Sequence, residues 1–270
     1  MPDFEIDTSD IHNPLWLGLR SVLTELHGNH TIANLNRLAT LRNIQNQAGA
    51  PIQFVVQDSK CGQRAYERQV FESGNVPTRT DNLHDFYNAC IWLTYPKIKA
   101  ALNALHVGEP DSDHRSRASD AATIFDESGA ILIGPHPDLA KHLEQHDWHQ
   151  AFVTHRESWQ TSHILIIGHA VLEKLHNPYP GVIAKVIYQP WLGLDTGNLN
   201  TPPAQLDEQI ARRWLTGEFT TPSTLFPVPV LGIPEATPMN NNPHFYEDAD
   251  VFRPKRLPTS HQNTDASQGV

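Results

Sequence analysis

Residues 82–106, NLHDFYNACIWLTYPKIKAALNALH, predict two helices in tandem. Asp81 or Asn82 can cap the first helix, because a short polar side chain accepts a hydrogen bond from the free N–H groups there. Pro96 can begin the second helix, since the first helical position needs no N–H. The second helix has apolar residues at helical spacing, namely Ile98, Leu102 and Leu105. These helices indicate a helix-dominated fold.

Outward from this pair, apolar periodicity predicts more helices, and β-branched runs beside turn residues predict strands. Helices are expected within 14–48 and at 61–72, 139–148, 151–159, 164–176 and 204–215. Strands are expected at 51–56, at 182–188 and in a hairpin over 123–134, whose turn is Asp126-Glu127-Ser128-Gly129. The predicted class is α+β, a helix-dominated domain with a small antiparallel sheet.

The C-terminal part has a different composition. Six prolines between 222 and 243 exclude long regular elements, so residues 221–258 are expected to wrap over the core as an extended Pro-rich segment. Residues 259–270 are polar and are expected to be disordered. Because no repeat and no linker precede Pro222, residues 1–258 are expected to form a single globular domain.

Charge and cysteine content argue against several classes of protein. The chain has 20 Lys and Arg against 30 Asp and Glu, a net charge of −10, so no nucleic-acid partner is expected. No apolar run approaches the roughly 20 residues of a membrane span, and the acidic start MPDFEIDTSD is unlike a signal peptide. Cys61 and Cys90 are too few for a disulfide scaffold. We expect a cytoplasmic protein without a membrane partner.

The chain is histidine-rich, with 16 His, and the first candidate site is His84-Asp85 with Asn88. His84 and Asn88 are four residues apart and share a helix face. The His-Asp pair can supply metal ligands, or a base with its orienting carboxylate. The structural alternative is that Asp85 complements the helix dipole and His84 bonds a backbone carbonyl.

The second candidate is Lys99, Asn103 and His106, which share a face of the second tandem helix. Lys and His suit an anionic substrate group, and Asn can orient it. The alternative is a solvated polar face. Arg79 follows a rigid Val-Pro-Thr and can clamp a carboxylate or phosphate, or hold the start of the helix that follows it.

The third candidate is His169, Glu173 and His176, at positions i, i+4 and i+7 of an apolar helix. Helical His and Glu ligands bind metals at such spacing, and Gly168 permits close approach of another element. The alternative is a structural ion pair near a helix end. Familiar motifs are missing, among them HExxH, CxxC, the Walker A loop and GxSxG.

Several stretches together resemble one family. They are VPTR (76–79), HDFYN (84–88), WLTYPKIKAALNALH (92–106), FDESG (125–129), GHAVLEKL (168–175), LGIP (231–234) and FYEDADVFR (245–253). The combination is similar to bacterial proteins grouped as domain of unknown function 3025, over most of the chain. The chain departs at Leu83, Ser119 and Glu235-Ala236, where family members tend to have Trp, Arg and Gly-Trp. The resemblance implies a shared fold and no agreed activity.

These patterns predict a metal-assisted hydrolase of a small anionic or phosphorylated substrate. A divalent ion, Zn²⁺ or Mn²⁺, is expected on His84 and His169 with Asp85 or Glu173, where it would lower the pKa of a bound water. The predicted catalytic residues are His84, Asp85 and His106. The predicted substrate-binding residues are Arg79, Asn88, Lys99 and Asn103.

The alternative is a non-catalytic cytoplasmic binding or adaptor protein. In that case the polar motifs are structural, and the aromatic residues of 245–253 anchor the tail. The two hypotheses differ in geometry. An enzyme would gather the candidate residues around one solvent-reachable site, whereas wide separation would favour the adaptor.

Overall fold

The structure is a computed structural model that describes residues 11–57, 62–109, 116–191 and 204–255. Its helices are α1 (Arg20–Leu26), α2 (Ile32–Leu41), α3 (Gln63–Ser73), α4 (Leu83–Thr94), α5 (Pro96–Val107), α6 (Arg117–Ser128), α7 (Pro137–Gln145), α8 (His169–Leu175) and α9 (Ala204–Leu215). Its strands are β1 (Gln53–Val56), β2 (Asn75–Thr78), β3 (Gly129–Gly134), β4 (His163–Ile166), β5 (Ile183–Pro190) and β6 (Phe226–Pro229). No helix within these ranges is long and apolar enough to cross a membrane.

The two tandem helices are confirmed as α4 and α5. The Asn82 side chain accepts a hydrogen bond from the Asp85 N–H at 3.0 Å, and Pro96 is the first residue of α5. Most of α4 is buried, so this helix lies in the core. The start of α5 is capped by a residue of another helix. The Asp207 carboxylate of α9 accepts hydrogen bonds from two backbone N–H groups in the first turn of α5.

A four-stranded sheet has the order β4-β3-β5-β6, and β1 and β2 form a separate parallel pair. In the larger sheet β3 pairs antiparallel with β4 and parallel with β5, and β5 pairs antiparallel with β6. The α+β class is therefore confirmed, while the sheet is mixed rather than antiparallel. The parallel pair is possible because β4 and α8 lie between β3 and β5 in the chain and supply the crossover.

The predicted hairpin over 123–134 is wrong. Helix α6 begins after its cap Ser116 and continues to Ser128, with Phe125 on its buried side, and β3 follows at once. A side chain at Gly129 would place its Cβ 2.2 Å from the Phe125 carbonyl oxygen. Glycine therefore permits a direct helix-to-strand connection where the sequence suggested a turn between two strands.

The predicted helix over 164–176 is also wrong at its N-terminal half. Residues 163–166 form β4, and the helix α8 begins only at His169. The β-branched residues of this stretch are buried as the partner of β3, and a buried apolar run does not distinguish a strand from a helix by its period. Residues 151–159, predicted as a helix, form a π turn at Gln150–Thr154 and a 3-10 turn at Arg156–Gln160.

The Pro-rich segment packs on the core through β6 and a series of short 3-10 turns. The rings of Tyr246 and Phe252 lie 5.2 and 6.0 Å from that of Phe152, centroid to centroid. The buried Asn240 side chain donates hydrogen bonds to two backbone carbonyls of the segment. Aromatic packing and buried hydrogen bonds therefore hold the segment. The predictions for residues 259–270 and Cys61 lie outside the described residues.

Candidate functional site

Three helix ends meet at one polar cluster. His84 lies in the first turn of α4, Glu127 lies near the end of α6, and His169 is the first residue of α8. One ligand atom of each of these side chains lies within 4.8 Å of those of the other two. The rings of His84 and His169 are 4.3 Å apart between centroids, and His169 Nε2 is 3.5 Å from Glu127 Oε2. We call His84, Glu127 and His169 the ligand triad.

Gly168 sets the distance between α8 and the end of α6. A Cβ at this position would lie 2.4 Å from Ser128 Cα and 2.5 Å from the Glu127 carbonyl oxygen. The N–H groups of Ile167 and Gly168 both donate to the Gly129 carbonyl, at 2.9 and 2.8 Å. The expectation that Gly168 permits close approach of another element is confirmed, and this approach brings the triad together.

Glu173 lies one turn beyond His169 on α8 and reaches the other histidine. Its Oε2 is 2.9 Å from His84 Nδ1. The side chains of His84 and Glu173 are 30% and 45% exposed, so the contact lies at the solvent edge of the cluster. His176, which follows α8 as its C-cap, is exposed and is not a member of the triad.

The surroundings keep His169 neutral. Burial lowers its pKa to about 4, although the Asp126 carboxylate acts in the opposite direction. A neutral imidazole retains the lone pair that a metal ion needs. Burial together with the neighbouring Asp126 raises the pKa of Glu127, while the charges of His84 and Lys99 lower it. A divalent cation would stabilise the ionised form of this carboxylate.

Behind the triad lies a buried ion pair between Lys99 and Asp126. Lys99 Nζ is 2.5 Å from Asp126 Oδ1 and 5.6 Å from the centre of the Trp92 ring. Burial alone would raise the pKa of Asp126, but the charge of Lys99 and its hydrogen bond hold that pKa below its usual value. Lys99 thus lies next to the triad with its charge balanced by a carboxylate.

Asp85 lies beside the cluster and is held by Arg79. The guanidinium donates from Nε and Nη2 to the two carboxylate oxygens at 2.9 and 2.8 Å, and the Arg79 backbone N–H donates to Oδ2 at 2.7 Å. Successive helix residues point about 100° apart, so Asp85 points away from the direction of His84. The structure therefore does not bring Asp85 into the ligand triad.

The remaining predicted residues line the helices around Lys99. Asn88 Nδ2 donates to the Tyr66 hydroxyl at 3.1 Å. Asn103 Nδ2 donates to the backbone carbonyl and the carboxylate of Glu67 at 2.8 and 2.7 Å. His106 Nδ1 is 3.2 Å from Ser119 Oγ, and its charge acts on Asp126. The Lys99, Asn103 and His106 face therefore lies against α3 and α6 rather than in solvent.

Glu127 is the triad member that sequence reasoning missed. The letters Asp126-Glu127 before Ser-Gly are typical of a turn, and so they suggested a hairpin. A signal for the helix was nonetheless present, since Ser116 can cap a helix whose buried residues Ala121, Ala122 and Phe125 have helical spacing. A prediction that this helix continues to Ser128 would have placed the Glu127 carboxylate near its C-terminal end.

Two imidazoles and one carboxylate form a donor set that could hold a metal ion. Catalytic zinc sites use this combination and leave a fourth position for water or substrate. The triad combines one buried side chain, that of His169, with two more exposed ones. An ion held there would rest on the protein on one side and remain reachable from solvent on the other.

Comparison with known proteins identifies a family but no characterised relative. No curated protein and no solved structure matches the chain. A family model described as "Protein of unknown function (DUF3025)" matches residues 52–256, a range that contains the ligand triad, Glu173 and every other candidate site residue. The resemblance noted from the sequence is confirmed, and the chain belongs to the DUF3025 family of proteins of unknown function.

Proposed function

We propose that this protein is a metal-dependent hydrolase whose divalent ion, Zn²⁺ or Mn²⁺, binds to His84, Glu127 and His169. The observation that carries the proposal is the meeting of three potential ligand atoms, from three different helices, within 4.8 Å. Such an ion supplies Lewis acidity and a water of lowered pKa. In this proposal Glu127 is the carboxylate ligand instead of Asp85, which the sequence predicted.

The proposed substrate is a small anion. With neutral histidines and an ionised Glu127, a divalent ion leaves the triad with a net charge of +1, which favours a negatively charged oxygen at the open position. Arg79 is the nearby cation with a half-exposed side chain, and the Glu173 charge acts on it. Because Lys99 forms an ion pair with Asp126, we assign it a structural role at the site and do not propose that it binds the substrate anion.

The first test is the metal content of protein purified without a His-tag. We expect about one equivalent of zinc or manganese and a thermal shift when the ion is added, because a ligand that binds the native state stabilises it. Less than about a tenth of an equivalent, with no thermal shift, would remove the metal from the proposal.

Glu127→Gln tests the ligand assignment. We expect its zinc affinity to fall more than about 100-fold, since a ligand is lost rather than a supporting group. Glu208→Gln is the matched control, because Glu208 is exposed on α9 and its ion pair among the described residues is with Arg212, one turn away. Hydrolysis of p-nitrophenyl phosphate that requires zinc, and that Glu127→Gln abolishes, would support the proposed reaction.

A non-catalytic binding or adaptor protein is the second candidate. The observation that favours it is the internal pairing of both candidate cations, Arg79 with Asp85 and Lys99 with Asp126. Charges that are balanced within the fold can be purely structural. A protein that binds no divalent ion and keeps its full stability in EDTA would favour this candidate.

A further inference from the structure

We infer that Glu173 is a positioning residue: it holds Nδ1 of His84 so that Nε2 of that histidine faces the metal ion. The inference rests on the proposed metal site and assigns a role to a residue that the donor set does not include. Glu173 was expected from the sequence as a ligand, yet the group of mutually close ligand atoms consists of His84, Glu127 and His169.

The contact between Glu173 and His84 determines which nitrogen can bind. An ionised carboxylate only accepts hydrogen bonds, so the 2.9 Å contact of Glu173 Oε2 requires a hydrogen on His84 Nδ1. The lone pair of the neutral imidazole then lies on Nε2. A carboxylate behind a metal-bound histidine fixes the ring orientation and makes the ligand nitrogen more basic.

The placement of Glu173 links the two histidines through one helix. Glu173 follows His169 by four residues, so both side chains leave the same face of α8. One points to the triad as a ligand, and the other reaches the ligand that α4 supplies. A single helix thus sets both histidine positions, and any shift of α8 would change the two together.

The other contacts of His84 leave this role to Glu173. The His84 ring meets the His169 ring edge to face, with 4.3 Å between their centroids. The carboxylate next to it in the chain, Asp85, is occupied by Arg79. Among the described residues, Glu173 is the carboxylate whose oxygen lies within an ion-pair distance of His84.

The test measures zinc affinity of the full chain by competition with a chromophoric chelator. We expect Glu173→Ala to weaken zinc binding about 10- to 100-fold, the usual effect of removing such a partner. Glu173→Gln should recover much of this loss, because its amide oxygen still accepts from Nδ1–H. Glu127→Gln should lose more than either variant, and Glu208→Gln should match the wild type.

Two further measurements distinguish a positioning role of Glu173 from a purely structural one. Metal-free melting temperatures should be equal for the wild type and both Glu173 variants, since the Glu173 side chain is 45% exposed. The ¹⁵N signals of His84 in the zinc-loaded wild type should show a protonated Nδ1 and a metal-bound Nε2. In Glu173→Ala the Nδ1 proton should exchange faster with solvent.

Each outcome decides between the proposals. If the wild type binds no zinc, the proposed function fails first. If the wild type binds zinc and Glu173→Ala binds it equally well, only the positioning role is overturned. A Glu173→Gln loss as large as that of Glu127→Gln would overturn it too, because Glu173 would then be a ligand itself.

Discussion

At the scale of single residues, His84 and His169 carry the same side chain in opposite surroundings. The His169 side chain is 6% exposed, whereas the His84 side chain is 30% exposed. We expect His169→Ala to lower the free energy of unfolding of the metal-free protein by about 1–3 kcal/mol, because removal of a buried ring leaves a cavity. His84→Ala should change it by less than about 0.5 kcal/mol, as at most surface positions.

Urea unfolding in EDTA measures both variants without a contribution from metal. The reverse order, with His84→Ala the less stable variant, would show that the roles of the two histidines are exchanged. In zinc both variants should lose the extra stability that the wild type gains from the ion, because stabilisation by a ligand requires binding to the native state.

At the scale of elements, the contact between α6 and α8 depends on Gly168. We expect Gly168→Ala to destabilise the protein by about 1–3 kcal/mol, since the added Cβ meets backbone that cannot move freely. It should also weaken zinc binding, because it separates His169 from Glu127. Gly62→Ala is the control: a Cβ added at Gly62 would meet no atom of the described residues within 4 Å, and the loss of glycine as a cap should cost less than about 1 kcal/mol.

The junction of α9 with α5 predicts a pH dependence. Asp207 is buried and accepts from the Lys97 and Ile98 N–H groups, both at 2.9 Å. Burial raises its pKa to about 6, although these hydrogen bonds act in the opposite direction. A raised pKa means that the native state binds the proton more tightly, so this contribution to stability is present below about pH 4 and is lost as the pH rises through about 6.

The Asp207→Asn variant tests the predicted direction of this pH dependence of stability. The stability of the wild type relative to this variant should increase as the pH falls from about 6.5 to 4, by at most about 3 kcal/mol. Unfolding in urea at a series of pH values, in EDTA, gives the difference at each pH. A difference that stays constant across this range, or decreases toward low pH, would contradict the prediction.

At the scale of the whole molecule, aromatic residues of the Pro-rich segment pack against the core. Phe252 is 4% exposed and packs against Phe152 and Tyr246. We expect Phe252→Ala to cost about 3–5 kcal/mol, through lost burial and the cavity left behind. Limited proteolysis should then cut near the C-terminus first. Met239→Ala, at a residue 50% exposed, is the control and should leave both stability and cleavage unchanged.

Much of the helical architecture was predictable because its causes are local. The cap at Asn82, the proline that begins α5 and the apolar spacing of α9 act within a few residues of one another. One of the errors falls in a buried apolar run. Residues 163–166 join the sheet because β3 lies beside them, and their own period does not distinguish that outcome from a helix.

The sequence by itself determined the family and the α+β class, and it predicted three of the residues that meet in this cluster, His84, His169 and Glu173. Only the tertiary structure decided that Glu127 completes the triad and that Asp85 turns to Arg79. The physical reason is that a set of metal ligands depends on the distances between side chains from elements that lie far apart in the chain. The close contact of Gly168 with the end of α6, which brings Glu127 to His169, has no signature in the spacing of residues.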